Sequence, residues 1–244
     1  MMTAQASENP VFQSIEAGSK LSLRVVHQFL EYLAAGDLQP GDRLPSEADL
    51  SRQWNVGISS VREALAVLDG LGVTEVRQGA GRVVQGLTFA ALADPRIGPA
   101  LVDGQMLLDL YEVRVTVESQ IARHAAERAT DQEIEKLREA ALRMVQRVET
   151  GHDGLDEDGA FHRTLAQCSH NRVFAWIDDS VGFLTREGRR AGLAHTGRPA
   201  QAAAEHVGIV DAISQRDPDL AEALIIEHLA PTLTDAQERT GQAT

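Results

Sequence analysis

Asp158 and His162 stand four residues apart in a stretch of helical periodicity, so both side chains share one helix face with Phe161 and Leu165. His206 falls in an apolar stripe with Ile209, Val210 and Ile213, and His228 in one with Leu224 and Leu220. One carboxylate and three imidazoles are therefore expected to point inward from three helices. A buried ionised aspartate without a partner is costly, and a divalent metal removes that cost while satisfying all four groups. Three histidines and one aspartate suit zinc first, with nickel, manganese or iron as alternatives, and leave positions for water or a ligand. A lone inward histidine is more often a hydrogen-bonded core residue; four positions in this pattern favour a metal. His27, His124, His152, His170 and His195 lack it. Arg114 lies on the helix face of Leu110, Val117 and Ile121, where its guanidinium calls for an anion such as a ligand carboxylate. The competing explanation is a surface pair with Glu118, one turn on.

A second group of residues has the chemistry of base reading. In Leu44-Pro45-Ser46-Glu47, Ser46 can cap a helix and Asp49 completes a capping box, with Leu50 and Trp54 as its apolar stripe. Asn55 and Gly57 break that helix. Ser60-Val61-Arg62-Glu63 reads as the capping box of the next, which buries Ala64, Leu65, Leu68 and Leu71 and ends at Gly72. Val73 to Arg77 and Arg82 to Val84, joined by Gln78-Gly79-Ala80-Gly81, read as a hairpin. Helix, tight turn, helix and hairpin make a winged helix-turn-helix, in which the start of the second helix meets base edges in the major groove. Arg62 sits there; read alone, it would be a solvated helix charge.

Positioning these groups takes two domains, and the expected fold is mainly α. The 244 residues divide into a polar tail at 1–18, expected to be mobile, the winged helix-turn-helix at 19–85, a Pro- and Gly-containing linker at 86–99, and an antiparallel all-helical bundle of about six helices at 100–240. Cys168 is the only cysteine, so no intramolecular disulfide forms and a reducing compartment is expected. Without a signal core or a membrane-length apolar run, the expected location is cytoplasmic. The net charge is −13, and residues 1–85 hold seven basic against ten acidic groups. Non-specific attraction to DNA should therefore be weak.

The run Gly41-Asp42-Arg43-Leu44-Pro45-Ser46-Glu47, then Val61-Arg62-Glu63-Ala64-Leu65, Leu71-Gly72-Val73 and Gly79-x-Gly81, resembles the N-terminal domain of the GntR family of bacterial regulators. The resemblance implies that Arg62 reads guanine, that Arg43 holds a phosphate and that Gln78 and Gly79 touch the minor groove. Ser46, Ser59 and Ser60, at the starts of the two helices, complete the expected DNA-facing set. Two positions depart from the family pattern, Ile58 and Ala48, where relatives carry arginine. The arrangement Asp158-x-x-Phe161-His162, Ser169-His170-Asn171, His206 with Ile209 and Ala212-Ile213, and His228-Leu229 resembles the FCD ligand-binding domain of the FadR subfamily. That resemblance implies a metal at Asp158, His162, His206 and His228, with Arg114 and Asn171 beside the effector. It also points to the members that respond to lactate, gluconate and other sugar acids, or dicarboxylates.

The function expected is a homodimeric transcription regulator, a repressor and not an enzyme. It would bind an inverted-repeat operator under the control of a small carboxylate at the metal. The alternatives are a metal-dependent hydrolase, against which no general base stands out beside the four ligands, and a metal-sensing regulator without an organic effector.

Overall fold

A computed structural model describes residues 21–240, so the tail expected at 1–18 lies outside the described residues. The fold is mainly α, with a single two-stranded sheet among the described residues. It forms two compact units that meet in the chain at Leu101 and Val102.

In the first unit, α1 (Leu21–Ala34) precedes α2 (Glu47–Trp54) and α3 (Ile58–Gly70). Val25, Val26, Phe29 and Leu30 of α1 are fully buried with Leu50, Trp54, Val61, Leu65 and Leu68 in one core. Each large side chain removed from water in this way contributes about 1.5–3 kcal/mol. Ser46 caps α2 as expected, its Oγ accepting the Asp49 N–H at 3.2 Å. Asn55 ends that helix in the left-handed region at φ 52. The capping box expected at Ser60 is not there: α3 starts three residues earlier, on an extended Gly57 with no side-chain cap. The Ser60 amide already donates to the Gly57 carbonyl at 2.9 Å, which places Ser60 inside the first turn. Strands β1 (Thr74–Arg77) and β2 (Gly81–Val84) pair antiparallel with Thr74 opposite Val84, and Arg43 makes an isolated bridge to Val83. The stretch 86–99, read from its prolines and glycines as a linker, holds α4 (Phe89–Ala93) and leads into a 3-10 turn (Gly98–Leu101). Ala91, Ile97 and Leu101 are buried in the first unit's core, so the segment belongs to that unit by packing.

The second unit is helical: α5 (Gly104–Arg128), α6 (Asp131–Glu149), α7 (Leu155–Cys168), α8 (Arg172–Leu184), α9 (Arg186–Leu193), α10 (Arg198–Ser214) and α11 (Pro218–Thr240). Helices α8 and α9 are separated at buried Thr185, whose hydroxyl donates back to the Val181 carbonyl. Thr130 caps α6, in a reciprocal box with Glu133. Asp217 caps α11, accepting the Leu220 N–H at 3.0 Å. Helix α5 packs on α11, α7 and α8, and α6 packs on α10 and α7. Ile121, Leu137, Phe161, Leu165, Ile209 and Ile213 make the centre of that core. Leu220 is exposed; the face that carries His228 inward is Ala221, Ile225 and Leu229.

One glycine sets the entry of α7, the helix that carries Asp158 and His162. Gly154 sits at φ +70, and a Cβ there would lie 3.2 Å from Met144 and Val148 side-chain carbons. Its carbonyl accepts the Asp158 N–H at 2.8 Å. Gly154→Ala should cost about 1–2 kcal/mol from the left-handed backbone alone, read as a lower midpoint in denaturant unfolding. An unchanged midpoint would contradict this account of the turn.

Candidate functional site

Asp158, His162, His206 and His228 are all buried, and one donor atom from each lies within 4.8 Å of the others. The imidazoles converge through the same nitrogen. Nε2 of His228 is 3.2 Å from Nε2 of His206 and 3.4 Å from Nε2 of His162. Asp158 Oδ1 lies 3.6 Å from His206 Nε2 and 3.7 Å from His162 Nε2. Imidazole nitrogens brought this close to one another are satisfied together by a single cation held between them. A small cavity of about 20 Å³ beside Asp158, His162 and His228 has room for one ion or water.

The outer nitrogens carry the orientation. Nδ1 of His162 is 2.6 Å from Glu118 Oε2, and Nδ1 of His228 is 2.7 Å from Glu205 Oε2. A carboxylate behind a histidine fixes its tautomer and makes the inner nitrogen a better ligand. Nδ1 of His206 has no such partner; its ring stacks on Phe161 at 3.8 Å between centroids. Asp158 Oδ2 accepts from Arg189 at 2.9 Å. Burial would raise the Asp158 carboxyl, but His162, Arg189 and His206 hold it well below the usual carboxylate range. Burial pushes down His206, helped by the neighbouring His228 charge, and also lowers His228 despite its Glu205 contact. His162 differs: burial would lower it, yet Glu118 and Asp158 raise it to about 9. A metal there must displace a proton from this ring.

Arg114 and Glu118 do form the pair that sequence reading set against an effector, at 2.6 Å, but it is not on the surface: the side chains are 4 and 3 % exposed. The pair does not exhaust Arg114, which commits only Nε to Glu118. Arg114, His162 and Arg189 also line a cavity of about 460 Å³ that reaches Arg163, Asp178 and Phe183. Asn171 is placed differently. Its Oδ1 accepts the Val173 and Phe174 amides as the cap of α8, and it is not among the residues lining that cavity. Asp178 is buried and makes no hydrogen bond or ion pair among the described residues, and burial, with Glu118 nearby, pushes it up to about 6.

In the first unit, Ser59, Arg62, Gln78 and Gly79 are exposed, as are Arg43 and Ser46. Ser60 is half-buried in the first turn of α3. Arg62 donates Nε to Glu47 at 2.6 Å, which leaves its two terminal nitrogens for another partner. Arg43 donates to the Ala80 carbonyl at 2.6 Å, tying the loop before α2 to the wing tip, where Gly79 takes φ +76. Four of the six arginines between residues 21 and 85 are paired to acids: Arg52 with Asp49, Arg62 with Glu47, Arg77 with Glu75 and Arg82 with Asp69.

Residues 21–84 match the bacterial regulatory proteins of the gntR family, and residues 109–231 match the FCD domain. The chain belongs to the GntR family. It is 31% identical over 199 residues to the HTH-type transcriptional regulator LutR of Bacillus subtilis (strain 168), covering 80% of this chain and 91% of that one. It is also 31% identical over 221 residues to the HTH-type transcriptional repressor NanR of Citrobacter rodentium (strain ICC168), covering 87% and 84%. Among solved structures, Lar of Listeria monocytogenes shares the fold at a TM-score of 0.63 and 19% identity, over 91% of this chain and 99% of that one. As a GntR-family protein the chain is a DNA-binding transcription regulator and not an enzyme, which removes the hydrolase reading. No described helix is long and apolar enough to cross a membrane.

The periodicity of this GntR-family sequence marks the four residues that the fold brings together; it does not mark Glu118 as a buried bridge, nor Glu205, Arg189 or Asp178. Glu205 precedes His206 in sequence yet serves His228 on another helix, which no local pattern encodes. Two outcomes follow from the geometry. Because the folded-state pKa of Asp178 is raised, its charge opposes folding above about pH 6 and the penalty fades as pH falls below that value. Asp178→Asn should therefore raise the thermal midpoint at pH 8, with the gain shrinking toward pH 5; a pH-independent effect would contradict it. Because most arginines of the winged helix carry their own acid, log affinity for non-operator DNA should fall with log salt at a slope of only about −2 to −4. A slope near −10 would show that the surface presents far more free cations.

Proposed function

We propose that this regulator is a homodimeric repressor whose operator affinity is set by a small carboxylate bound beside a metal in the FCD domain. The observation that carries the proposal is the convergence of three Nε2 atoms and Asp158 Oδ1 beside a cavity whose lining includes His162 of that set together with Arg114. The residues fit a transition metal: four nitrogen and oxygen donors, two of the histidines backed by carboxylates, and space for one ion. Asp158, His162, His206 and His228 would hold it, zinc first among the candidates. When bound, it supplies a positive centre with positions open to a ligand oxygen. Arg114 offers two terminal nitrogens to the same carboxylate, and Arg189 keeps Asp158 ionised and oriented. Occupancy shifts the population between states of different operator affinity.

On DNA, Arg62 directs its free fork at a guanine, the commonest specific contact. Ile58, 40% exposed at the start of α3, offers an apolar contact to a thymine methyl where relatives carry arginine. Arg43, Ser46, Ser59, Ser60, Gln78 and Gly79 act on the backbone and minor groove. Reading two half-sites requires a dimer; Val113 on α5 and Val173 and Trp176 on α8, helices packed on each other, leave apolar side chains exposed that suit a second copy.

Native mass spectrometry before and after chelation, paired with operator binding, tests this. A dimer with one transition metal per chain is expected, and removal should abolish the carboxylate response while the helices persist. A dimer that never carries metal would reduce the four residues to a polar core. A response to metal alone, with no effect of any carboxylate, would favour a metal sensor. Arg62→Ala should weaken operator binding by about 1–3 kcal/mol and leave non-operator DNA nearly unchanged; equal affinity for the operator would remove Arg62 from base reading.

A further inference from the structure

Asp158, His162, His206 and His228 are exposed by no more than 4% each, so an ion has no direct path to them from solvent. The small cavity beside them shares walls with two larger ones. Arg114, His162 and Arg189 line both it and the 460 Å³ cavity. Gly192, Arg198 and Thr232 line both it and a further cavity of about 350 Å³, enclosed by α9, α10 and α11. The four residues therefore stand between two ways in.

The two differ in charge. The larger cavity sets Arg114, Arg163, Arg186 and Arg189 against three aspartates, a lining that suits an anion better than a cation. In the other, Asp235 and Glu238 face His195 and Arg198. Arg198 is only 11% exposed and already committed, donating to Glu205 at 2.8 Å and to the His228 carbonyl at 2.9 Å. It does not offset the acids at the mouth. Asp235 and Glu238 are three residues apart on one face of α11. His195 Nε2 lies 2.9 Å from Asp235 Oδ1, so a nitrogen and an oxygen donor are close enough for one ion to take both. The wall behind this mouth can also yield. Pro231 stands inside α11, three residues past His228, and removes the amide that would meet the Glu227 carbonyl. Arg198 holds the backbone of His228 and the carboxylate behind its ring, so a swing of one side chain loosens that ligand.

We infer that a divalent cation reaches the four buried residues through the cavity enclosed by α9, α10 and α11, with His195, Asp235 and Glu238 as its entry ligands and Arg198 as the gate. The arginine-lined cavity is left to the anion, so the two ligands enter by different doors. The inference rests on the proposed metal occupancy of Asp158, His162, His206 and His228. A mouth of one sign concentrates the opposite ion and speeds its capture, by about ten- to a thousandfold in charged clefts. The entry ligands act on loading and unloading alike, and the final affinity belongs to the four inner residues.

Transfer of zinc from a fluorescent indicator to the metal-free full chain, followed by stopped flow, reads the rate, and competition at equilibrium reads the affinity. In the double variant Asp235→Asn, Glu238→Gln, uptake and release should both slow by about tenfold or more at low salt, with the affinity within about threefold of wild type. The difference should shrink as salt rises. Asp179→Asn, on the exposed rim of the arginine-lined cavity, should load at the wild-type rate. None of the three side chains is fully buried, and a thermal scan of each preparation confirms the fold. Uptake at the wild-type rate in the double variant, or slowing by Asp179→Asn instead, overturns the inference and leaves the metal site standing. A wild-type chain that binds no zinc at equilibrium removes the metal reading and this inference with it.

Discussion

The second unit is organised around the neutralisation of charge in a place water does not reach. Glu118 and Asp158 are carboxylates with almost no exposure, and both stay ionised because cations are placed against them: Arg114 and His162 for the first, His162 and Arg189 for the second. Removing one partner from such a set leaves a bare charge in low dielectric, which costs several times what the intact pair contributes. The helices are therefore tied to one another by chemistry as well as by packing. Helix α5 brings Arg114 and Glu118, α7 brings Asp158 and His162, and α9, α10 and α11 bring one or more of the rest. The registers of five helices are set by one small polar volume.

How much of this was legible follows from what each residue reports locally. Asp158 and His162 announce themselves because i, i+4 spacing on an apolar face is a property of one helix, and His206 and His228 because each interrupts an apolar stripe. Glu118, Glu205 and Arg189 are just as buried in their consequences, yet each reads as a surface charge on its own helix. Their partners are on other elements, and a helix period says nothing about which neighbour a charge will meet. Asn171 shows the opposite case: a polar side chain in a promising motif whose oxygen is taken up by the amides that start α8. The fold was legible where a cap or a breaker was present, at Ser46, Asn55 and Gly72. It was misread along 86–99, where apolar residues between prolines and glycines find a core that the punctuation conceals.

The two units use arginine in contrasting ways. In the bundle, Arg114 and Arg189 are buried and set against carboxylates that lie within the helical framework. In the winged helix, Arg52, Arg62 and Arg77 are exposed and hold acids. An exposed ion pair contributes little to stability, so the Arg62–Glu47 pair is better understood as a guide for the guanidinium than as a brace for the domain. Glu47 also lies 4.0 Å from Arg82 on the wing, which Asp69 holds in turn. One carboxylate thus sits between α3 and the hairpin.

The self-paired arginines have a consequence for where the molecule spends its time. A regulator with a strong general hold on DNA is nearly always on the chromosome, sliding between sites, and its free concentration is small. Here four of the six arginines between residues 21 and 85 would first have to leave their own acids to meet a phosphate, and the chain carries a net charge of −13 into the encounter. A weak general hold of that kind would make visits to random sequence brief and leave the pool that competes with operators chiefly in solution. The occupancy of a promoter would then track the number of protein copies in the cell almost directly, with little buffering by the genome.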